Sequence, residues 1–356
     1  MASPRVDNDT DFIVEPHLLV DKDGERIAAI AKATFELADG PPKGVDGSFA
    51  IAPKARRRGI RAADLPWGKP EISSIRYPSD LCLEKPGTDV IVVAIAHAPG
   101  GKPLPRFDAG VRVGRVQRVV RITGPRVFAE GGESITEPRP IASLEVRYDY
   151  AFGGVDDSDP AAILEDPRNP VGRGFARRPA SMGLQPAPQI EDPTDPVKNA
   201  SSRPKPAGLS AIGRHWEPRR RLWGNYGGDY AEKRAPLPPL DFDPRANLAA
   251  TPELVAVPHL AGGEEGALTN LTPGGGTLSF TMPRLRLAMT FAVKDRQVET
   301  IEPRLDTVLF DTIAVPKPTL GQTSAIPLVI ELVWRASVRA PRKLADCTIT
   351  VTEKRG

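Results

Sequence analysis

Arginines and tryptophans are crowded into GRHWEPRRRLW, residues 213–223, which holds four arginines, one histidine and two tryptophans. A guanidinium stacked on an indole is typical of protein interfaces and of single-stranded nucleic-acid sites. The same residues could instead brace the interior, with Arg219 or Arg220 paired to Glu191 or Asp192. The side chains that could contact a partner here are Arg214, His215, Trp216, Arg219, Arg220 and Trp223.

A second candidate segment is RNPVGRGF, residues 168–175, which contains a Gly-x-Gly pattern. A phosphate-binding loop needs Gly-Lys-Ser/Thr at the start of a helix, and the dinucleotide fingerprint needs a third glycine. Neither pattern fits, so the glycines predict a turn with backbone positions closed to other residues. The glycines predicted to be structural are Gly153, Gly154, Gly172 and Gly174. The side chains that could still face a partner are Arg173 and Phe175.

Nucleophilic or metal-assisted chemistry finds little support in residue spacing. GLSAIG, residues 208–213, is one residue longer than the G-x-S-x-G nucleophile elbow. The acid-rich turns DKDGE and DDSDP do not fit the calcium-loop pattern. The histidines show no metal-ligand spacing with one another or with a cysteine: His17, His97, His215 and His259. We therefore expect no catalytic residue, no metal and no cofactor, although a carboxylate pair for glycoside hydrolysis is defined only in three dimensions.

Composition favours strands joined by stiff loops. Of the 356 residues, 39 are proline and 32 glycine, which disfavours long helices. The net charge of +3 is too small to indicate nucleic-acid binding by itself. Two widely separated cysteines, Cys82 and Cys347, favour a reduced, cytoplasmic protein. The first ten residues contain no apolar stretch typical of a secretory signal, and no apolar run is long enough to span a membrane.

The strands that position these segments are predicted in two regions. Residues 11–20 and 25–37 flank the turn DKDG and predict a hairpin, with a helix over 27–33 as the alternative. Residues 89–98 form an apolar run typical of a buried strand. Alternating patterns predict half-buried strands over 111–122 and 143–150. Further strands are predicted within TLSFTM, LRLAMTFAV, RLDTVLFDT, PLVIELVWRASV and CTITVT.

The predicted fold is mainly β, with a sandwich-like antiparallel core that could form one integrated domain or two lobes. Residues 1–150 and 251–356 are the two β regions. Residues 151–250 between them are rich in proline and glycine and show no sustained periodicity. Because this middle segment also carries many aromatic residues, we expect an ordered loop layer packed on the β core, not a disordered linker.

Nine short motifs along the chain resemble one bacterial family. In order they are KPGTDVIVVAIAHAPGG, YDYAFGG, RNPVGRGF, IEDP, GRHWEPR, DFDPR with the following Asn247 and Ala249, NLTPGG, LDTVLFD and LVWRAS. Together, from about residue 10 to 340, they resemble the domains of unknown function whose genes accompany type VI secretion effectors. The resemblance implies a cytoplasmic adaptor or chaperone that binds an effector. It would help to load the effector onto the secretion spike, the VgrG trimer with its PAAR tip.

Two other function classes stay open at this point. A carbohydrate-active hydrolase would need a concave site with two carboxyl groups about 5–9.5 Å apart. A nucleic-acid-binding protein would use the arginine cluster, and its binding would weaken steeply with salt. The expected partners are a secretion effector, with the PAAR protein and the spike as further candidates, and neither nucleic acid nor a membrane.

Overall fold

The computed structural model describes residues 3–37, 49–313 and 328–354, and in them the chain is mainly β. The strands of the first region are β1 Arg5–Asn8, β2 Ile13–Asp21, β3 Gly24–Leu37, β4 Phe49–Ile51, β5 Leu65–Pro66, β6 Ile75–Tyr77, β7 Thr88–Val93, β8 Ile95–His97, β9 Arg106–Val113, β10 Val116–Thr123 and β11 Ser143–Glu145. The hairpin predicted around DKDG is confirmed, because β2 and β3 pair antiparallel from Ile13↔Lys32 to Asp21↔Gly24.

The middle segment contains only short elements. They are β12 Phe152–Gly153, β13 Val155–Asp156, β14 Leu164–Glu165, β15 Arg173–Gly174, β16 Ile190–Glu191, α1 Arg219–Leu222 and α2 Tyr230–Lys233. None of the helices in the described ranges has the length and apolar character needed to cross a bilayer.

The final region returns to longer strands. They are β17 Val255–Ala256, β18 Glu265–Thr269, β19 Thr277–Thr281, β20 Leu287–Val293, β21 Glu299–Ile301, β22 Leu305–Asp311, β23 Val329–Arg339 and β24 Cys347–Glu353. Each of the five C-terminal strand predictions coincides with one of these strands. Pro327, the first residue of one predicted run, lies outside the described residues.

A seven-stranded sheet draws its strands from both ends of the chain. Its order is β17-β7-β22-β23-β3-β2, and β4 also pairs with β3. The β22–β7 pair is parallel and the others are antiparallel. The first and last regions therefore contribute to one sheet.

Two further sheets complete the sandwich-like arrangement. One has the order β16-β10-β9-β18-β19, and the other has the order β1-β24-β20-β21. Phe280 of β19 packs against Phe310 of β22 with ring centroids 5.2 Å apart. Both rings are almost wholly buried, and each such burial contributes about 1.5–3 kcal/mol. The contact joins the five-stranded sheet to the seven-stranded one.

The middle segment packs on this core. The amide of Val92 in β7 donates to the carbonyl of Leu209 at 2.8 Å, so part of the segment runs beside the sheet. Leu209, Ile212 and Trp216 belong to the main apolar core. A smaller cluster forms beneath the remaining loops, with Phe128, Phe152, Ala187, Val197 and Ala200 buried together.

Several local predictions are wrong in detail. The alternative helix over 27–33 is part of β3, where β23 and β2 supply partners on both sides. The run 89–98 is divided between β7 and β8. The segment 111–122 is a hairpin, because Gly114 adopts φ +54° between β9 and β10. Only the start of 143–150 is a strand, and Tyr148–Tyr150 form a 3-10 turn.

Candidate functional site

Two of the predicted contact residues lie in the interior. Trp216 is 2% exposed and packs edge-on against Tyr148, with ring centroids 5.7 Å apart. Arg219 is 5% exposed and donates to the carbonyls of Ala246 at 3.1 Å and Ile212 at 2.6 Å. The expectation that Trp216 and Arg219 face a partner is therefore wrong in this structure, because both side chains brace the middle segment.

The alternative pairing of Arg219 or Arg220 with Glu191 or Asp192 is also wrong. Arg126 pairs with Glu191 at 2.6 Å, and Arg118 pairs with Asp192 at 3.1 Å. Arg219 bonds the backbone carbonyls described above. Arg220 is exposed and lies 3.9 Å from Glu165. Both predicted carboxylate partners are thus paired with arginines from other parts of the chain.

The rest of the segment 213–223 reaches the surface. Arg214 lies over the ring of Trp223 at 5.5 Å, and the Trp223 indole N–H donates to the Arg214 carbonyl at 3.2 Å. His215 is exposed and accepts a hydrogen bond from the indole of Trp216 at 3.0 Å. Arg214, His215 and Trp223 therefore keep a surface position, away from the buried Trp216 and Arg219.

The glycines of RNPVGRGF and YDYAFGG sit where the backbones of these two motifs meet. β15 pairs in parallel with β12 through Phe152↔Arg173 and Gly153↔Gly174. Gly153, Gly154 and Gly174 have φ of +141°, +112° and +95°, which L side chains rarely adopt. Gly172 has an ordinary φ, but a Cβ there would lie 2.4 Å from Asn169 Nδ2.

Three of the motifs pack on one another. The buried Asn169 side chain donates to the carbonyls of Tyr148 and Phe152, each at 2.9 Å. The amide of Glu217, in GRHWEPR, donates to the carbonyl of Pro167 at 2.7 Å, directly before RNPVGRGF. Since Trp216 also contacts Tyr148, the motifs YDYAFGG, RNPVGRGF and GRHWEPR form one scaffold.

A row of alternating arginines and aromatic rings runs from this scaffold to the hairpin β5–β6, and we call it the arginine–aromatic ladder. Its members, in spatial order, are Arg61, Tyr77, Arg76, Trp67, Arg147, Tyr150 and Arg173. Guanidinium-to-ring distances along it run from 4.7 Å, for Arg173 over Tyr150, to 5.7 Å, for Arg147 over Tyr150. All seven side chains are half-buried.

Of the residues predicted from sequence, only Arg173 belongs to the ladder. Phe175 packs instead against the small core cluster, with Arg203 over its ring at 5.5 Å. The other ladder members come from 61–77 and 147–150, which are far apart in the sequence from Arg173. The sequence signals for these members were the adjacent Arg76-Tyr77 pair and the two tyrosines of YDY. Neither signal predicts that these side chains share one surface.

The ladder arginines differ in how their charge is balanced. Arg147 pairs with Asp149 at 2.6 Å and Glu145 at 3.3 Å, and Arg61 pairs with Glu331 at 2.7 Å.

The other two ladder arginines have no acidic side chain within ion-pair distance among the described residues. Arg173 donates to the carbonyl of Asp149 at 3.0 Å and lies 3.5 Å from the amide oxygen of Gln189. Burial lowers the pKa of Arg173 from its ordinary value. Arg76 makes no hydrogen bond or ion pair with any residue that the structure describes. Arg76 and Arg173 therefore have no carboxylate within ion-pair distance in the described ranges, and Asp149 acts on Arg173 only from farther away.

Unpaired donors and exposed apolar side chains lie on the same hairpin, β5–β6. The indole N–H of Trp67 and Nε of Arg76 are buried without an acceptor among the described residues. Leu65 is 47% exposed and pairs in register with Tyr77, while Ile72, in the connecting turn, is 69% exposed. This combination of apolar and cationic groups on one hairpin is typical of a surface that contacts another protein.

Buried charges tie the segments on either side of the hairpin to the seven-stranded sheet. Glu331 of β23 lies 2.7 Å from Lys32 of β3 and binds Arg58 and Arg61. Lys32 also binds Asp80 at 2.8 Å. Burial raises the pKa of Glu331, but the neighbouring Lys32, Arg61 and Arg58 outweigh this effect and hold the pKa well below its ordinary value.

A second buried cluster is internally paired. Arg335 binds Asp306 and contacts Cys82 Sγ at 2.6 Å. Lys85 binds Asp89 at 2.8 Å. Cys82 is a free thiol whose pKa is raised, chiefly by burial. The adjoining cavity has a volume of about 10 Å³, which is room for one water and far less than a substrate pocket needs.

Other positions considered for chemistry are occupied by packing. Ser210, in GLSAIG, is fully buried and its hydroxyl has no hydrogen-bond partner among the described residues. Within the same ranges, no group of three His, Cys, Asp or Glu side chains is arranged to hold a metal ion.

A shallow surface groove of about 590 Å³ is lined by Glu25, Arg296, Arg339, Ala340, Pro341 and Arg342. Arg296 there already bonds the carbonyls of Arg339 and Ala340.

Comparison with known proteins identifies a family. Residues 22–315 match the family described as "uncharacterized protein conserved in bacteria (DUF2169)". The chain belongs to this family. The DUF2169 match includes every residue of the arginine–aromatic ladder and of the scaffold beneath it, but it ends before Glu331 and Arg335. Neither a curated protein nor a solved structure matches the chain.

Proposed function

We propose that this DUF2169 protein is a non-catalytic adaptor that binds a type VI secretion effector, or the PAAR-bearing region of one, through the arginine–aromatic ladder. It would act in the cytoplasm, cover an apolar surface of the effector and release that surface when the effector docks on the VgrG spike. The motif resemblance suggests the system. The ladder supports binding, since arginine, tryptophan and tyrosine dominate the energetics of protein interfaces.

The ladder carries the proposal because it joins the features that a protein-binding surface needs. Its seven side chains are half-buried, so they are held in place while still offering part of their surface. Exposed Leu65 and Ile72 extend it with apolar area. The buried ion pairs beneath it fix the hairpin, which reduces the entropy lost on binding.

The test is co-purification. The tagged protein would be co-expressed with the protein encoded by the neighbouring gene, and the captured amount compared for the parent, Trp67→Ala and Trp223→Ala. The two tryptophans are matched, because each is half-buried and each has an arginine stacked on it. We expect Trp67→Ala to reduce capture by roughly tenfold or more and Trp223→Ala to leave it near the parent level.

Melting temperatures measured on the same preparations separate lost binding from lost folding. Loss of capture with Trp223→Ala alone would return the binding site to segment 213–223. No capture by the parent protein would contradict the adaptor proposal for that partner.

A further inference from the structure

We infer that the centre of the ladder binds the carboxylates of an acidic, partly apolar segment of the partner protein, with Arg76 as the principal donor. This inference rests on the proposed function and specifies the chemistry of its ligand. It is carried by the juxtaposition of cations without an ion-pair partner, unpaired donors and exposed apolar side chains along the ladder and the hairpin β5–β6.

Charge complementarity is the first reason. Arg147 and Arg61 already have carboxylate partners within 3 Å, whereas Arg76 and Arg173 have none within ion-pair distance in the described ranges. Arg173 is moreover partly desolvated, which disfavours its charged form and lowers its pKa. An incoming carboxylate would offset that cost, so an acidic ligand fits better than a neutral one.

The unpaired donors are the second reason. The Arg76 guanidinium lies 4.8 Å from the centre of the Trp67 ring, so the two side chains are neighbours. Each has one buried N–H group without an acceptor among the described residues. These two N–H groups are closed to solvent, whereas the terminal nitrogens of the Arg76 guanidinium are not buried and also have no acceptor among the described residues. A carboxylate oxygen can accept charge-assisted hydrogen bonds from those terminal nitrogens.

The apolar neighbours indicate a polypeptide ligand. Leu65 lies opposite Tyr77 in the hairpin register and Ile72 lies in its turn, both exposed. A segment that alternates acidic and apolar residues could reach both the donors and these side chains. Nucleic acid fits less well, since Tyr77, Trp67 and Tyr150 each already have at least two guanidinium groups against the ring. Bases that stack on a protein need a free ring face.

The experiment measures the fluorescence anisotropy of labelled probes with the full chain. The probes are a short peptide of alternating glutamate and leucine, the same peptide with glutamine in place of glutamate, and a single-stranded oligothymidine. We expect the glutamate peptide to bind roughly tenfold or more tightly than the glutamine peptide, and its affinity to fall with salt. Arg76→Gln should weaken binding of the glutamate peptide by roughly tenfold or more.

Arg214→Gln is the matched control, because Arg214 also stacks on a half-buried tryptophan but lies outside the ladder. Its affinity for the glutamate peptide should equal that of the parent. Equal binding of the glutamate and glutamine peptides, an unchanged affinity for Arg76→Gln, or tighter binding of the oligothymidine would overturn the inference.

Capture of the effector distinguishes this inference from the proposed function. Capture that is undiminished in a folded Arg76→Gln variant would reject the acidic-segment inference and leave the adaptor proposal intact. Peptide binding that depends on Arg76, with no effector captured by the parent, would reject the adaptor proposal and leave the inference intact.

Discussion

Glu331 lies at the centre of the buried charges beneath the hairpin, and its replacement by glutamine removes one negative charge without changing the side chain's shape. Its carboxylate is fully buried and lies 2.7 Å from Lys32, 2.7 Å from Arg61 and 2.8 Å from Arg58. Glutamine could still accept one or two hydrogen bonds there. It could not neutralise three cations, so the variant isolates the effect of charge.

The magnitude follows from the balance of charges. Three cations, Lys32, Arg58 and Arg61, are paired with three carboxylates, Glu331, Asp80 and Asp311. The variant leaves one excess positive charge in this set. Removing one partner of a buried ion pair costs about 3–5 kcal/mol. Because the Arg58 and Arg61 side chains are 21% and 11% exposed and can turn towards water, we expect about 3 kcal/mol, the lower end.

The assay is unfolding in urea and on heating at neutral pH, followed by circular dichroism. About 3 kcal/mol corresponds to a melting temperature roughly 4 °C lower for a protein of this size. The matched control is Glu302→Gln, because Glu302 also binds two basic side chains, Arg286 and Lys354, but in the open. That variant should melt like the parent. Equal midpoints for Glu331→Gln and the parent would show that the buried charges are not what holds the hairpin.

The same variant has a defined pH dependence. The pKa of Glu331 in the folded protein lies well below its ordinary value of 4.5, despite burial, because of Lys32, Arg61 and Arg58. A carboxyl group whose folded pKa is depressed contributes stability that is fully present above its unfolded pKa and is lost as pH falls towards the folded pKa. The stability difference between the parent and Glu331→Gln should therefore be constant from neutral pH to about 5 and shrink below about 4.5.

Two further predictions concern the scaffold. Gly174→Val should lower the melting temperature, because Gly174 has φ +95° and a Cβ there would lie 3.0 Å from a proline ring. Gly59→Ala should not lower it, because Gly59 has an ordinary φ and open space around its Cβ position. Equal melting temperatures of the two variants would contradict the strained geometry at Gly174. Arg219→Ala should lower the free energy of unfolding in urea by about 1–3 kcal/mol, because it leaves two buried carbonyls without a donor. Arg220 is exposed, so Arg220→Ala should lower it by less than about 0.5 kcal/mol. A larger loss for Arg220→Ala than for Arg219→Ala would refute the assigned burial.

The sequence predicts one of the two hairpins near the start of the chain and misses the other. The β2–β3 hairpin was predictable, because its turn residues lie directly between two apolar runs. The β9–β10 hairpin was not, since valines alternate with polar residues on both sides of Gly114 and the pattern reads as one continuous strand. A two-residue turn leaves almost no trace in hydrophobic periodicity.

The candidate site was predictable only in its residue types. Arginine beside aromatic residues was expected, but in segment 213–223, where Trp216 and Arg219 prove to be interior. The ladder instead joins side chains from distant segments, and the distances that unite them arise only when β6 and the motif scaffold pack on the core. Local crowding of arginine and tryptophan cannot distinguish a brace from a binding surface, because both uses exploit the same stacking.

Tyr77 links the ladder to the interior of the sheet. Its hydroxyl donates to Asp311 Oδ2 at 2.5 Å, while its ring lies under Arg61 and Arg76. Burial and the negative charge of Asp311 raise the pKa of Tyr77 to about 12, so the hydroxyl remains a donor at physiological pH. One end of the ladder is thus tied by a hydrogen bond to a central strand of the seven-stranded sheet. A surface fixed in this way loses little conformational entropy when it binds, so even a short segment of a partner could be held with useful affinity.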